Sequence, residues 1–129
     1  MSRKILVDTS VWVDYFKDDP STTVFIENNL FTKEIYITGP IITELLAGSQ
    51  GTKEKERLQY SLGAVTTLNV NLEDWILAGK IMAEMKAKGL SVNKTDALIA
   101  SIAINNNCEV LSFSKSLPLI ENVKQTQIA

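Results

Sequence analysis

Short apolar runs alternate with stretches of helical periodicity along the whole chain. The first run, Ile5-Leu6-Val7, ends abruptly at Asp8 and two hydroxyl residues, Thr9 and Ser10; Val11, Trp12, Tyr15 and Phe16 then follow at helical spacing. A short run rich in β-branched residues predicts a buried strand, and Thr9 or Ser10 suits the cap of the helix after it. Asp18-Asp19-Pro20 reads as a turn, with Ser21 or Thr22 capping a helix through Leu30. Ile35-Tyr36-Ile37 predicts a second strand that stops at Thr38-Gly39-Pro40, with Pro40 as a first helical residue. IITELLAG then forms a helix ending near Gly48, and KEKERLQYSL a charged helix stopped by Gly63.

The second half repeats the alternation. Val65 to Val70 predicts a third strand, and Asn71 caps a helix that runs to Lys88 and ends at Gly89. Trp75, Ala78, Met82 and Met85 recur along it at helical spacing and read as core filling. Thr95 caps DALIASIAI, a segment apolar nearly all round and therefore expected to be buried; Asn105-Asn106-Asn107 closes it. Val110 to Phe113 predicts a fourth strand and Lys124 to Ile128 a short edge strand. Strand and helix in strict alternation call for a parallel sheet with helices on both faces, an α/β fold of the three-layer α/β/α sandwich type. At 129 residues, without repeats or linker, residues 1–129 read as one domain.

Composition narrows the chemistry. The chain has no histidine and one cysteine, Cys108, so Ser-His-Asp triads, Cys-His pairs and HExxH zinc sites are excluded and a zinc site of any kind is disfavoured. Cys108 reads as structural, and its isolation, together with the lack of an apolar leader or membrane span, points to the cytoplasm. A net charge of −2 gives no basic field of the kind that gathers nucleic acid, although a bound cation changes the local sign.

Three acids break apolar surroundings. Asp8 closes the first strand, Glu44 sits among Ile41, Ile42, Leu45 and Leu46, and Asp96 stands in the first turn of the most buried helix. Each has an ordinary explanation alone: a helix cap, an exposed position, or an acid favoured by the helix dipole. Their common placement is less ordinary, because carboxyl ends of parallel strands and amino ends of the following helices share one edge. Carboxylates converging there repel unless they share a proton or bind a cation. With oxygen ligands only, Mg²⁺ or Mn²⁺ is the expected ion, held by Asp8, Glu44 and Asp96. Such an ion activates water and polarises a phosphoryl oxygen, so phosphodiester hydrolysis needs no histidine. Thr9 and Ser10 are expected to hydrogen-bond Asp8 and hold its rotamer, and Lys94 is placed to meet phosphate.

VDTSVWVDYF, TELLAG and TDALIASIA, in that order, resemble the three signature segments of PIN-domain ribonucleases, in particular the VapC-type toxins of bacterial and archaeal toxin–antitoxin pairs. Each segment alone is weakly specific; the ordered set, spanning nearly the whole chain, is more so. The resemblance implies a PIN-like domain and Mg²⁺- or Mn²⁺-dependent endonucleolytic cleavage of RNA. It also implies a cognate antitoxin that occludes the site, and a homodimer, for which Trp12, Phe16 or Met85 offers apolar surface. Asp8, Glu44 and Asp96 match the family's first three acids, and Ser10 the hydroxyl that supports the first. The chain departs from the pattern after the fourth strand: Ser114 stands where a fourth acid is usual, and Ser116 and Leu117 replace the usual aspartate and phenylalanine. A serine can hold a metal-bound water but brings no charge. Two readings follow, a catalytic endoribonuclease and a degenerate, non-catalytic PIN domain that binds RNA or protein. A receiver-like phosphotransfer domain also carries an acid at a strand end, but its late-strand lysine is met only approximately by Lys115.

Overall fold

β1 (Ile5–Val7) runs through the middle of the molecule, and all three of its side chains are fully buried. The computed structural model describes residues 3–128. Around β1 lie β2 (Ile35–Thr38), β3 (Thr66–Leu68), β4 (Glu109–Leu111) and β5 (Lys124–Gln125), all parallel, in the order β3-β2-β1-β4-β5. The helices between them are α1 (Thr9–Phe16), α2 (Pro20–Phe31), α3 (Gly39–Gly48), α4 (Gly51–Leu62), α5 (Leu72–Ala87) and α6 (Lys94–Asn105), with a 3₁₀ turn at Leu117–Leu119. The three-layer α/β/α arrangement with a central parallel sheet is therefore present.

The strand order places the site. From β1 the chain moves outward to β2 and β3, then crosses back over β1 to β4. Right-handed crossovers in opposite directions put α1–α4 on one face and α5–α6 on the other. The packing agrees: α1 lies against α2 and α3, α3 against α4, and α5 against α6. The direction of winding reverses between β1 and β4, where open parallel sheets leave a crevice for ligands. Asp8 and Ser112 are the first residues past the carboxyl ends of these two strands.

Several boundaries differ from the periodic reading. Asp19, not Ser21 or Thr22, caps α2, its carboxylate accepting the Thr22 N–H at 3.1 Å with Pro20 in the first turn. Asn93, not Thr95, caps α6, accepting the Asp96 N–H at 2.7 Å. Thr9 and Ser10 lie inside α1, and Asp8 holds the cap position without a side-chain capping bond. β3 and β5 are shorter than the stretches of β-favouring residues that predicted them, and β4 ends at Leu111, which releases Ser112 and Phe113 from the sheet.

Trp75 is also corrected. The buried stripe of α5 is Asp74, Ala78, Ile81 and Met85, so Trp75 lies one position off it and is 51% exposed. The buried Asp74 is satisfied by Asn105 Nδ2 at 2.7 Å and the Asn71 N–H at 2.8 Å. Trp12 and Met85, offered above as pairing surface, are both in the core.

Trp12 fixes the corner between β1 and α1. Its indole Nε1–H donates to the Val7 carbonyl at 3.1 Å, its ring stacks on Phe16, and Tyr15 meets it edge-on. Truncating a fully buried aromatic costs about 3–5 kcal/mol, so Trp12→Ala is expected to lower unfolding stability by that amount in equilibrium urea denaturation. A loss under about 1 kcal/mol would show that this corner does not need the ring.

Candidate active site

Asp8 and Asp96 are nearly buried, at 6% and 8% exposure, where the β1–β4 crevice meets the start of α6. Asp8 is fixed through its backbone, whose N–H continues the ladder to Leu111 O at 2.9 Å. Its side chain is free of capping duty, and its Oδ2 accepts from Ser112 Oγ at 2.7 Å and from Ser10 Oγ at 3.3 Å. Ser10 Oγ in turn accepts the Phe113 N–H at 3.1 Å, tying α1 to the segment after β4. Asp96 mirrors this arrangement: its Oδ2 accepts from Ser116 Oγ at 2.6 Å and Ser114 Oγ at 2.9 Å. The Ser114 N–H donates to Ser112 Oγ at 3.0 Å. The two carboxylates are thus joined through Ser112 and Ser114.

Glu44 stands apart on α3. It is exposed, and Thr9 Oγ1 donates to its Oε1 at 2.8 Å. Thr9 therefore serves Glu44 rather than Asp8, while Ser10 does bond Asp8 as expected. Through Thr9 and Asp8, adjacent in sequence, all three acids line the carboxyl edge of the sheet. Among the described residues no group of three His, Cys, Asp or Glu side chains is arranged to hold one ion. The pair that the fold joins is Asp8 with Asp96.

Two features bear on what this pair can bind. No lysine or arginine neutralises it: among the described residues the ion pairs are Arg3–Glu109, Arg57–Asp18 and Lys88–Glu121. On both carboxylates Oδ2 is saturated by hydroxyls, and no protein donor reaches Oδ1 among the described residues. Hydrogen bonds to a charged acceptor contribute roughly 1.5–3 kcal/mol each and help offset burial; they do not remove the charge. Two anionic groups with free oxygens, and only oxygen donors around them, suit a hard divalent cation.

Ser112 and Ser116 carry half of these contacts. Ser112 was not singled out from the sequence, and Ser116 was noted only where it departs from a motif. The signal was the recurrence of serine at 112, 114 and 116 just past a strand, a run of short hydroxyl donors at the edge where the acids lie.

A family model described as PIN domain matches residues 5–121. The chain belongs to the PIN domain family. VapC ribonuclease Mb1587 of Mycobacterium bovis is 28% identical to it over 130 residues, covering 97% of each chain. Among solved structures, VapBC2 of Rickettsia felis, bound to a DNA fragment from its promoter, aligns with a TM-score of 0.85 at 22% identity, covering 95% of this chain and 97% of that one. VapBC-5 of Mycobacterium tuberculosis, a member of the VapBC family of toxin–antitoxin systems, aligns with a TM-score of 0.69 at 17% identity, covering 99% and 98%. At these identities the structural alignments speak for the fold: this PIN domain has the five-stranded sheet and flanking helices in place, with the β1–β4 crevice at its centre.

Cys108 lies at the opposite end of β4 from this crevice, 2% exposed, and burial pushes its thiol above the usual range against a small opposing effect of Lys4. A raised pKa keeps the thiol protonated and unreactive at neutral pH. Native protein is expected to react with an aromatic disulfide reagent at pH 7.5 many times more slowly than protein unfolded in guanidinium. Equal rates in the two states would contradict the burial.

Proposed function

We propose that this PIN domain, acting as one unit over residues 1–129, is a divalent-metal-dependent endoribonuclease and the toxin of a toxin–antitoxin pair. The observation that carries the reading is the pair of nearly buried carboxylates, Asp8 and Asp96, each anchored through one oxygen, with no donor to the other and no cationic side chain paired with either among the described residues. The likeness to a VapC ribonuclease and to VapBC complexes supports the substrate class and the partner. The hydroxyls that hold Asp96 support catalysis over a silent binding module, because they keep a negatively charged ligand in place where the usual fourth acid is absent.

In this reading Asp8 and Asp96 would hold Mg²⁺ or Mn²⁺, and Glu44 adds a third acid from α3. The ion, when bound, supplies Lewis-acid polarisation of a phosphoryl oxygen and lowers the pKa of a coordinated water. The chain contributes position and charge: Ser10 and Ser112 orient Asp8, Ser114 orients Asp96, and Thr9 holds Glu44, whose Oε2 is left to order the attacking water. Lys94 and Lys115, both exposed and next but one or closer to site residues in sequence, offer positive charge to the RNA backbone.

The antitoxin is proposed to enter a cleft of about 350 Å³ between α1, α3 and α4, lined by Val13, Phe16, Leu45, Leu58 and Glu44. Glu44 lines this cleft and is held by Thr9, the residue after Asp8, so a segment seated there would cover the Glu44 side of the acidic edge. The homodimer is proposed to use Leu72, Trp75 and Ile76, an exposed apolar triplet on α5. Among the described residues no helix is long and apolar enough to cross a membrane, and the proposed place of action is the cytoplasm.

Purified protein freed of any partner is expected to cleave RNA in Mg²⁺ or Mn²⁺ and to stop on chelation. Asp8→Asn is expected to lower the rate about 100-fold or more while leaving the circular dichroism spectrum unchanged, since it removes charge from the ion's site. Cleavage that persists in chelator, or an Asp8→Asn variant as fast as the parent in a gel assay, would refute the reading.

A further inference from the structure

The loop after β4 puts two serine hydroxyls on a single carboxylate oxygen. Ser116 Oγ lies 2.6 Å and Ser114 Oγ 2.9 Å from Asp96 Oδ2. Each hydroxyl has one proton and both are directed at the same carboxylate oxygen; the 3.1 Å approach of the two serine oxygens follows from two groups aimed at one acceptor. Asp96 is 92% removed from solvent by its 8% exposure, and no protein donor reaches its Oδ1 among the described residues.

Among the described residues the Ser116 hydroxyl meets only Asp96 Oδ2 and Ser114 Oγ. It occupies the cap position of the 3₁₀ turn Leu117–Leu119 without making a side-chain capping bond. Its own N–H goes to Ser114 Oγ at 3.3 Å, which closes the two serines into one unit. The next residue, Leu117, is fully buried, and the turn packs on α6, the helix that carries Asp96. The loop is thus pinned to the core one residue away from the hydroxyl that meets the acid.

We propose that Ser114 and Ser116 form a two-hydroxyl clamp on Asp96 that leaves it a one-oxygen ligand for a divalent cation, with Ser116 as a positioning residue of the site. This rests on the metal-dependent reading given above. The physical reason is the choice of donor. A lysine or arginine at either position would hold Asp96 equally well but would cancel the charge that a cation needs. Neutral hydroxyls fix the rotamer, saturate one oxygen, and leave the charge available to the ion. Bidentate binding, which needs both oxygens, is blocked by the clamp.

The test is Mn²⁺ binding to the full chain, followed by electron paramagnetic resonance of the free ion, for the parent and for Ser116→Ala, Ser116→Val and Ser116→Thr. Loss of the hydroxyl is expected to weaken binding about tenfold or more in the Ala and Val variants. The Thr variant, which keeps the hydroxyl, is expected to restore affinity to within a few-fold of the parent. Thermal unfolding in chelator separates folding from binding, and Ser114→Ala probes the second hydroxyl should a Ser116 variant not fold. Ala, Val and Thr variants that all bind Mn²⁺ as tightly as the parent would overturn the clamp while leaving the hydrolase reading intact. A parent chain that takes up no Mn²⁺ would overturn both.

Discussion

Two buried carboxylates, Asp8 at the end of β1 and Asp96 at the start of α6, linked through Ser112 and Ser114, are the constraint to which the surrounding structure answers. Isolated charges in such a place are costly, and a pair of like charges costs more. The chain meets that cost with hydroxyls rather than with lysine or arginine. Ser10 and Ser112 serve Asp8; Ser114 and Ser116 serve Asp96. In each case one oxygen takes the hydroxyls and, among the described residues, the other has no protein donor and neither carboxylate has a counter-charge.

The fold creates the seam. β1 can be fully buried because it has a neighbour on each side and helices on both faces, and the reversal of winding opens the crevice beside it. Trp12 holds α1 against the end of β1, so that Ser10 faces both Asp8 and the Phe113 N–H. Asn93 starts α6 with Asp96 in its first turn, where the helix dipole favours an acid. Leu117 anchors the loop that returns from β4. Each anchor is an ordinary packing or capping device, and together they fix four serines within reach of two oxygens.

Much of this could be read from residue order alone, and the reason is contrast. Asp8, Glu44 and Asp96 stand out because their neighbours are apolar, and α6 announces its burial by being apolar all round. The serines offer no such contrast: the run from Ser112 to Ser116 looks like any polar loop until the strand is seen to end at Leu111. Trp75 misled for a related reason. Periodicity alone does not say which stripe of an amphipathic helix faces its neighbour, and a buried Asp74 paired with Asn105 occupies the stripe in its place. Caps moved by two or three residues because Asp19 and Asn93 compete on equal chemical terms with the hydroxyls that follow them.

Crystals of the full chain grown with Mn²⁺ and examined by anomalous scattering put the shared-ion account to its most direct trial. The account requires one peak in coordination distance, about 2.0–2.2 Å, of an oxygen from both Asp8 and Asp96, on the side of each carboxylate away from the serines. A peak bound to only one of the two, or carboxylates turned apart with no ion between them at saturating Mn²⁺, would contradict it.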